Sequence, residues 1–157
     1  WLMDSTRLAY IAGFLDGDGS IFFQIVRRKD YKIGFQIRST IAFYQKTKFV
    51  KILKFLKRIF KSGYIRHREG EMSDYSIVES NEVERILLLL KPYVKLKKKQ
   101  IQLGLRILSK LKSIKSRQEF LKTCRLVDKF AELNYSKKRT ITSKVVENYF
   151  RNKSLPL

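Results

Sequence analysis

The sequence predicts an α+β domain in which helices alternate with antiparallel hairpins. Three observations carry this reading. Apolar spacing switches from a three-and-four pattern to strict alternation after Gly19, and again after Gly63. The periodic stretches are separated by breaks at Asp16-Gly17-Asp18-Gly19, Ser62-Gly63 and Glu69-Gly70-Glu71. At 157 residues the chain is long enough to bury a real core, and residues 1–157 are expected to form a single domain.

The first helix begins near Asp4, Ser5 or Thr6, whose side chains can accept from free backbone N–H groups. Leu8, Ile11 and Leu15 form one apolar stripe, while Ala9, Ala12, Gly13 and Asp16 form a second, small face. A mid-helix glycine costs roughly 1 kcal/mol against alanine. Close approach of another backbone offsets that cost, so this face is expected to meet a second helix. The helix then runs into Asp16-Gly17-Asp18-Gly19, where two glycines free the backbone beside two carboxylates. A carboxylate fixed beside exposed carbonyls suits a hard cation such as Mg²⁺. An acidic turn that binds nothing has the same four residues, so this run alone does not decide between them.

Residues 21–28 alternate, with Ile21, Phe23 and Ile25 on one face and Phe22, Gln24, Val26 and Arg28 on the other. A charged turn leads to a second strand over 33–44. There Phe35, Ile37, Ser39, Ile41 and Phe43 point inward, and Gln36, Arg38, Thr40 and Ala42 point outward. An outward face of Gln and Arg fits base edges in a DNA major groove, and equally fits an ordinary solvated surface. Gln45-Lys46-Thr47 precedes a helix over 48–60. Phe49, Ile52, Leu53, Leu56, Ile59 and Phe60 share its inner face, and Lys51, Lys54, Lys57 and Arg58 its outer one. In the second hairpin Tyr64, Arg66 and Arg68 face out and Ile65 in. On the returning strand Tyr75 and Ile77 face in, and Asp74 and Ser76 out. His67 is the sole histidine; it cannot build a multi-histidine metal site and is given no catalytic role.

Asn81 and Glu84 have capping-box spacing for a helix through Leu90, with Val83, Ile86, Leu87 and Leu90 buried. Pro92 ends it. The basic run Lys95-Leu96-Lys97-Lys98-Lys99-Gln100 opens a helix with Ile101, Leu105, Leu108 and Leu111 inward. A basic linker over 112–117 leads to a helix over 118–133 with Phe120, Cys124, Val127, Phe130 and Ala131 inward. Ser136-Lys137-Lys138-Arg139-Thr140 is a loop suited to phosphates, and a last helix covers 143–150.

Lysine and arginine number 35 against 14 acids, a net charge of +21 that implies a polyanionic partner. Nucleic acid ranks first. An anionic membrane surface ranks far behind, because the basic residues are scattered over every element and no apolar run approaches the ~20 residues of a spanning helix. A signal peptide is not expected. The single Cys124 excludes an internal disulfide and suggests a reducing compartment.

Ile11-Ala12-Gly13-Phe14-Leu15-Asp16-Gly17-Asp18-Gly19 resembles the signature of the LAGLIDADG homing endonucleases. Ala12, Gly13, Asp16, Asp18 and Gly19 match by identity; Ile11, Phe14 and Leu15 are conservative changes; Gly17 stands for Ala. Gln45-Lys46-Thr47, Gly63-Tyr64-Ile65-Arg66, Ser73-Asp74-Tyr75 and Leu96-Lys97-Lys98-Lys99-Gln100 also resemble single-motif, homodimeric members from organellar introns. The resemblance implies an αββαββα fold, with a saddle-shaped four-stranded antiparallel sheet on DNA and further C-terminal helices. It implies a homodimer joined through Ala9, Ala12, Gly13 and Asp16, with Asp16 chiefly holding the helix junction. Two Asp18 carboxylates then meet at the dyad and hold divalent metal, expected to be Mg²⁺, with Mn²⁺ or Ca²⁺ able to occupy the site. The Gly17 carbonyl joins them, Gln45 positions solvent and Lys97 stabilises charge at the cut. No small-molecule cofactor is implied.

The reaction implied is hydrolysis of both strands of a near-palindromic DNA target across the minor groove, leaving 3′ overhangs. From strand parity and the resemblance together, base contacts are expected from Gln24, Arg28, Tyr31, Gln36, Arg38, Thr40, Arg66, Arg68, Asp74 and Ser76. Phosphate contacts are expected from Lys115, Ser136, Lys137 and Arg139. Some relatives carry Arg where Phe49 stands, so that role is lost here or moved to Lys48 or Lys51. The alternatives are an intron RNA maturase and a non-catalytic DNA-binding protein on the same scaffold. An organelle is the expected location, the chloroplast before the mitochondrion or a prokaryotic cytoplasm.

Overall fold

A computed structural model of the chain describes residues 3–135, 139 and 141–153. In chain order its elements are α1 (Ser5–Asp18), β1 (Gly19–Arg27), β2 (Phe35–Lys46), α2 (Lys51–Phe60), β3 (Tyr64–Arg68), β4 (Met72–Ile77), α3 (Ser80–Leu90), α4 (Lys98–Leu111), α5 (Arg117–Leu133) and α6 (Ser143–Asn152). The first seven follow the expected αββαββα order. The strands form one four-stranded sheet in the order β1-β2-β4-β3, with β4 antiparallel to both β2 and β3.

The described residues pack as two compact units, Trp1–Ile21 with Ser39–Ile101, and Phe22–Arg38 with Gln102–Leu157. In the first, Asp4 caps α1 by accepting from Thr6 N–H at 2.9 Å, and Leu8, Ile11, Ala12 and Leu15 are buried. On the central strands Phe43 stacks on Tyr75 with ring centroids 6.0 Å apart, and Phe14 of α1 lies 5.6 Å from Phe43. Leu53, Leu56, Ile59 and Phe60 of α2 are buried, as are Val83, Ile86, Leu87 and Leu90 of α3. The Tyr75 hydroxyl donates to the Ser62 carbonyl at 2.6 Å, which gives this buried phenol a partner and fixes the turn after α2. In the second unit Phe23 meets Phe130, and Phe35 meets Tyr149 edge-on. Cys124 is buried in the apolar face of α5.

Three local expectations need correction. Phe49 does not join the inner face of α2: residues 47–49 form a separate 3₁₀ turn and leave its ring 53 % exposed, with the Lys48 ammonium 5.0 Å from the ring centre. The capping box does not form, because α3 starts two residues earlier: Glu79 is the N-cap without a side-chain bond, and Asn81 lies inside the helix. On α4 the buried line is Ile101, Gly104, Ile107 and Leu108, leaving Leu105 and Leu111 half-buried at its margins.

Candidate active site and nucleic-acid face

The C-terminal turn of α1 gathers charge of both signs. Asp16 accepts three backbone N–H groups: Lys95 at 2.6 Å and Leu96 at 3.1 Å on Oδ2, and Lys97 at 3.1 Å on Oδ1. The Lys97 ammonium donates back to the Asp16 main-chain carbonyl at 3.1 Å. Asp16 therefore pins the 95–97 segment to the helix end and brings Lys97 there with it. Asp18, two residues on, is exposed, and its carboxylate makes no hydrogen bond or ion pair with another described residue. The last carbonyls of a helix have no intrahelical donors. Here the Gly19 N–H takes the Leu15 carbonyl and Lys97 the Asp16 carbonyl, and the Gly17 carbonyl comes next.

Size explains the glycines differently. A Cβ at Gly19 would stand 2.7–2.8 Å from Leu15, so the chain can leave the helix at that angle only without a side chain. A Cβ at Gly13 or Gly17 would meet nothing within 4 Å. Among the described residues these two glycines serve no packing need.

Ala9, Tyr10, Gly13 and Gly17 line the exposed side of α1, with Tyr10 53 % exposed. Ala12 does not belong to that surface. It has no exposed area, because it packs with the Ile11 and Leu15 side of the helix. Asp16 is half-buried and committed to the 95–97 backbone. Gln45, next to last in β2, lies opposite Ser73, half-buried, its side-chain oxygen accepting from Lys46 N–H at 3.1 Å. No hydrogen bond links it to Asp18 or Lys97. Among the described residues no group of three or more His, Cys, Asp or Glu side chains could hold a metal ion. One chain offers a carboxylate and a carbonyl, an incomplete shell for a hard cation.

Within the first unit, Arg66 and Arg68 project from β3 at about half exposure. Asp74, across the ladder, is fully buried and accepts from Arg68 Nε at 2.6 Å, from the Ser76 hydroxyl at 2.7 Å and from Arg66 at 3.5 Å. The expectation that Asp74 and Ser76 meet bases directly is therefore corrected. Alternation places them on the outward face, but the arginines cover them, and Asp74 sets the two guanidinium groups instead. Thr40, 8 % exposed, is likewise withdrawn into the sheet. Burial raises the Tyr44 phenol above its usual pKa, against the opposing effect of Arg68, whose guanidinium lies 5.9 Å from the ring centre.

The second unit carries a comparable cluster. Arg28 donates to both Asp30 oxygens at 2.9 and 2.7 Å and to the Gln36 side-chain oxygen at 2.7 Å, and it stacks 4.5 Å over Tyr31. The bond from Arg28 holds the exposed Asp30 carboxyl below its ordinary pKa. Gln24 and Arg38 are exposed, as is Lys115. Ser136 and Lys137 lie outside the described residues. Arg139 is not free for phosphate: it donates to Asp128 at 3.0 Å and to the Ile141 carbonyl at 3.1 Å, with 19 % of its side chain exposed. It ties the start of α6 to α5, where Asp128 also accepts from Ser143 N–H at 3.2 Å.

Residues 11–108 match the family model described as LAGLIDADG endonuclease. The chain is 43 % identical over 140 residues to DNA endonuclease I-CreI of Chlamydomonas reinhardtii, covering 88 % of this chain and 85 % of that protein. It is 36 % identical over 143 residues to DNA endonuclease I-CvuI of Chlorella vulgaris, covering 91 % and 89 %. Crystal structures of I-CvuI superpose with a TM-score of 0.91 over 97 % of both chains at 33 % identity. One holds its target in 2 mM Ca, and another holds the I-CreI target in 2 mM Mg with the DNA not cleaved. An archaeal intron-encoded endonuclease, I-Vdi141I, shares the fold at a TM-score of 0.84 and 19 % identity. With the model spanning most of the chain and two relatives aligned nearly end to end, this protein belongs to the LAGLIDADG endonuclease family.

Proposed function

We propose that two copies of this chain form a site-specific, divalent-metal-dependent endonuclease of double-stranded DNA. The carrying observation is the exposed, unpaired Asp18 carboxylate at the carbonyl end of α1, beside Lys97, in a chain of net charge +21. The donor set fits a hard cation: Asp18 and the Gly17 carbonyl offer oxygen only, and one copy offers too few. When bound, Mg²⁺ activates water and stabilises the leaving oxyanion; Mn²⁺ and Ca²⁺ suit the same oxygens. Gly13 and Gly17 let a second α1 approach closely, which brings the partner's Asp18 to the same axis.

Each side chain then has a distinct task. Asp18 holds the cation, Asp16 sets the 95–97 backbone, and Lys97 places a positive charge near the scissile phosphate. Gln45 orders solvent. Arg66 and Arg68, with Gln24, Arg28, Tyr31, Gln36 and Arg38, supply contacts to bases, and Lys115 with Ser136 and Lys137 supplies contacts to phosphates. The relatives are DNA endonucleases, which leaves the maturase and non-catalytic readings without support of their own. Their algal sources favour an organelle, the chloroplast first.

The test is selection of cleaved duplexes from a randomised library with Mg²⁺. A near-palindromic consensus with 3′ overhangs is expected, and Asp18→Asn should bind that site without cutting it. An asymmetric consensus, or cleavage by Asp18→Asn, would overturn the assignment.

A further inference from the structure

His67 stands at the end of a polar row that the mechanism above leaves unused. Gln45 of β2, Ser73 of β4 and His67 of β3 are register partners, so their side chains share one face of the sheet. The Ser73 hydroxyl is fully buried and makes two bonds of 2.7 Å, one to His67 Nδ1 and one to Thr47 Oγ1. Thr47 opens in turn on a concavity it shares with Lys46, Lys48, Gly70 and Glu71. A titratable ring is thus joined through one buried hydroxyl to a hydroxyl at the end of the strand that carries Gln45.

We propose that His67 is a positioning residue. Its protonation state, relayed by Ser73, decides whether Thr47 presents a lone pair or a proton to a DNA phosphate in this concavity. The proposal rests on the DNA-binding reading above.

Each hydroxyl of the three groups carries one proton, and the imidazole carries one or two. With neutral His67 protonated on Nε2, Ser73 donates its single proton to Nδ1. Thr47 then donates to Ser73 and turns its lone pairs outward. With the imidazolium, Nδ1–H donates to Ser73. Buried Ser73 must place its own proton on Thr47, and the Thr47 proton is released outward. Only hydroxyl rotations are involved. The charged surroundings are mixed. Lys46, the last residue of β2, and Lys48 bring positive charge to the concavity, and Glu71 of the β3–β4 turn brings negative charge. Arg66 and Arg68 flank His67 in sequence from the other face of β3, already turned toward Asp74.

His67 is the only histidine, so a change of affinity that disappears in His67→Gln traces to this one ring. The experiment measures target affinity in Ca²⁺ from pH 5.5 to 8.0 at fixed ionic strength. Wild type should bind about tenfold tighter on the acid side, as expected for gaining a hydrogen bond to a charged phosphate. His67→Gln and Thr47→Val should lose the step, and Thr47→Ser should keep it. Thr47→Val retains the imidazolium and its charge, so an intact step in that variant would overturn the relay. So would a flat wild-type profile, or ¹⁵N shifts showing the neutral ring protonated on Nδ1. The ¹⁵N measurement needs no DNA. A chain that shows the step but never cuts sinks the nuclease reading alone; a chain that cuts with a flat profile sinks the relay alone.

Discussion

Asp16 and Asp18 are two residues apart, and the structure predicts opposite phenotypes for them. Asp16 accepts three backbone N–H groups from residues 95–97. In Asp16→Asn the amide oxygen can keep the two bonds now made by Oδ2, but the NH₂ group then faces the Lys97 N–H. One charge-assisted bond is lost and two fall to neutral strength. Bonds to charged groups contribute about 1.5–3 kcal/mol and neutral ones about 0.5–1.5. Since Asp16 is half-exposed and water can repair part of the loss, Asn should cost about 2 kcal/mol and Ala about 3–4. For a chain of this size 2 kcal/mol corresponds to a fall in Tm of about 4–8 °C.

The assay is urea and thermal unfolding at fixed protein concentration, because the proposed dimer would make stability concentration-dependent. Cleavage should fall with it, since Lys97 loses the backbone that places it, while affinity for DNA is largely kept. If Asp16→Asn unfolds within about 0.5 kcal/mol of wild type, the scale of an ordinary surface change, the anchoring role is wrong.

Asp18→Asn should leave Tm unchanged or slightly raised, because it removes a negative charge from the negative end of α1, and should abolish cleavage in a Mg²⁺ plasmid assay. Gly13→Ala should stabilise the helix by roughly 1 kcal/mol or less where it is unpartnered, whereas Gly13→Leu should yield a folded monomer by sedimentation velocity. Burial pushes the Cys124 thiol up to about 12. The native fold therefore resists a thiol reagent at pH 8 and reacts only on unfolding. Because the folded state holds that proton longer, stability should decline as pH rises from about 9 towards 12, and Cys124→Ala should flatten this decline.

Most of the fold could be read from periodicity, because the inward-facing residues of most elements recur at strand or helix spacing. Ile21, Phe23 and Ile25, or Val83, Ile86, Leu87 and Leu90, announce their face directly. The acidic turn was legible through the composition and order of its residues. What periodicity does not carry is who covers an outward position. Asp74 and Ser76 lie on the face their parity gives, yet arginines from the neighbouring strand bury them. Arg139 looks like a phosphate ligand until Asp128, eleven residues away, takes it. Ala12 shares a small face with Gly13 by residue size, but a turn of 100° per residue separates buried from exposed. The grip of Asp16 on residues 95–97 spans about eighty positions and leaves no local signal.

The Asp74 fork has a consequence for how such a protein changes its target. One buried carboxylate serves two guanidinium groups on alternate residues of one strand. Replacing either arginine leaves the acid under-neutralised and frees the other to swing. Variation at these two positions is therefore epistatic. A mutational library that samples Arg66 and Arg68 separately will report mostly damage, and new preferences should emerge only where both, together with residue 74, vary in the same molecule.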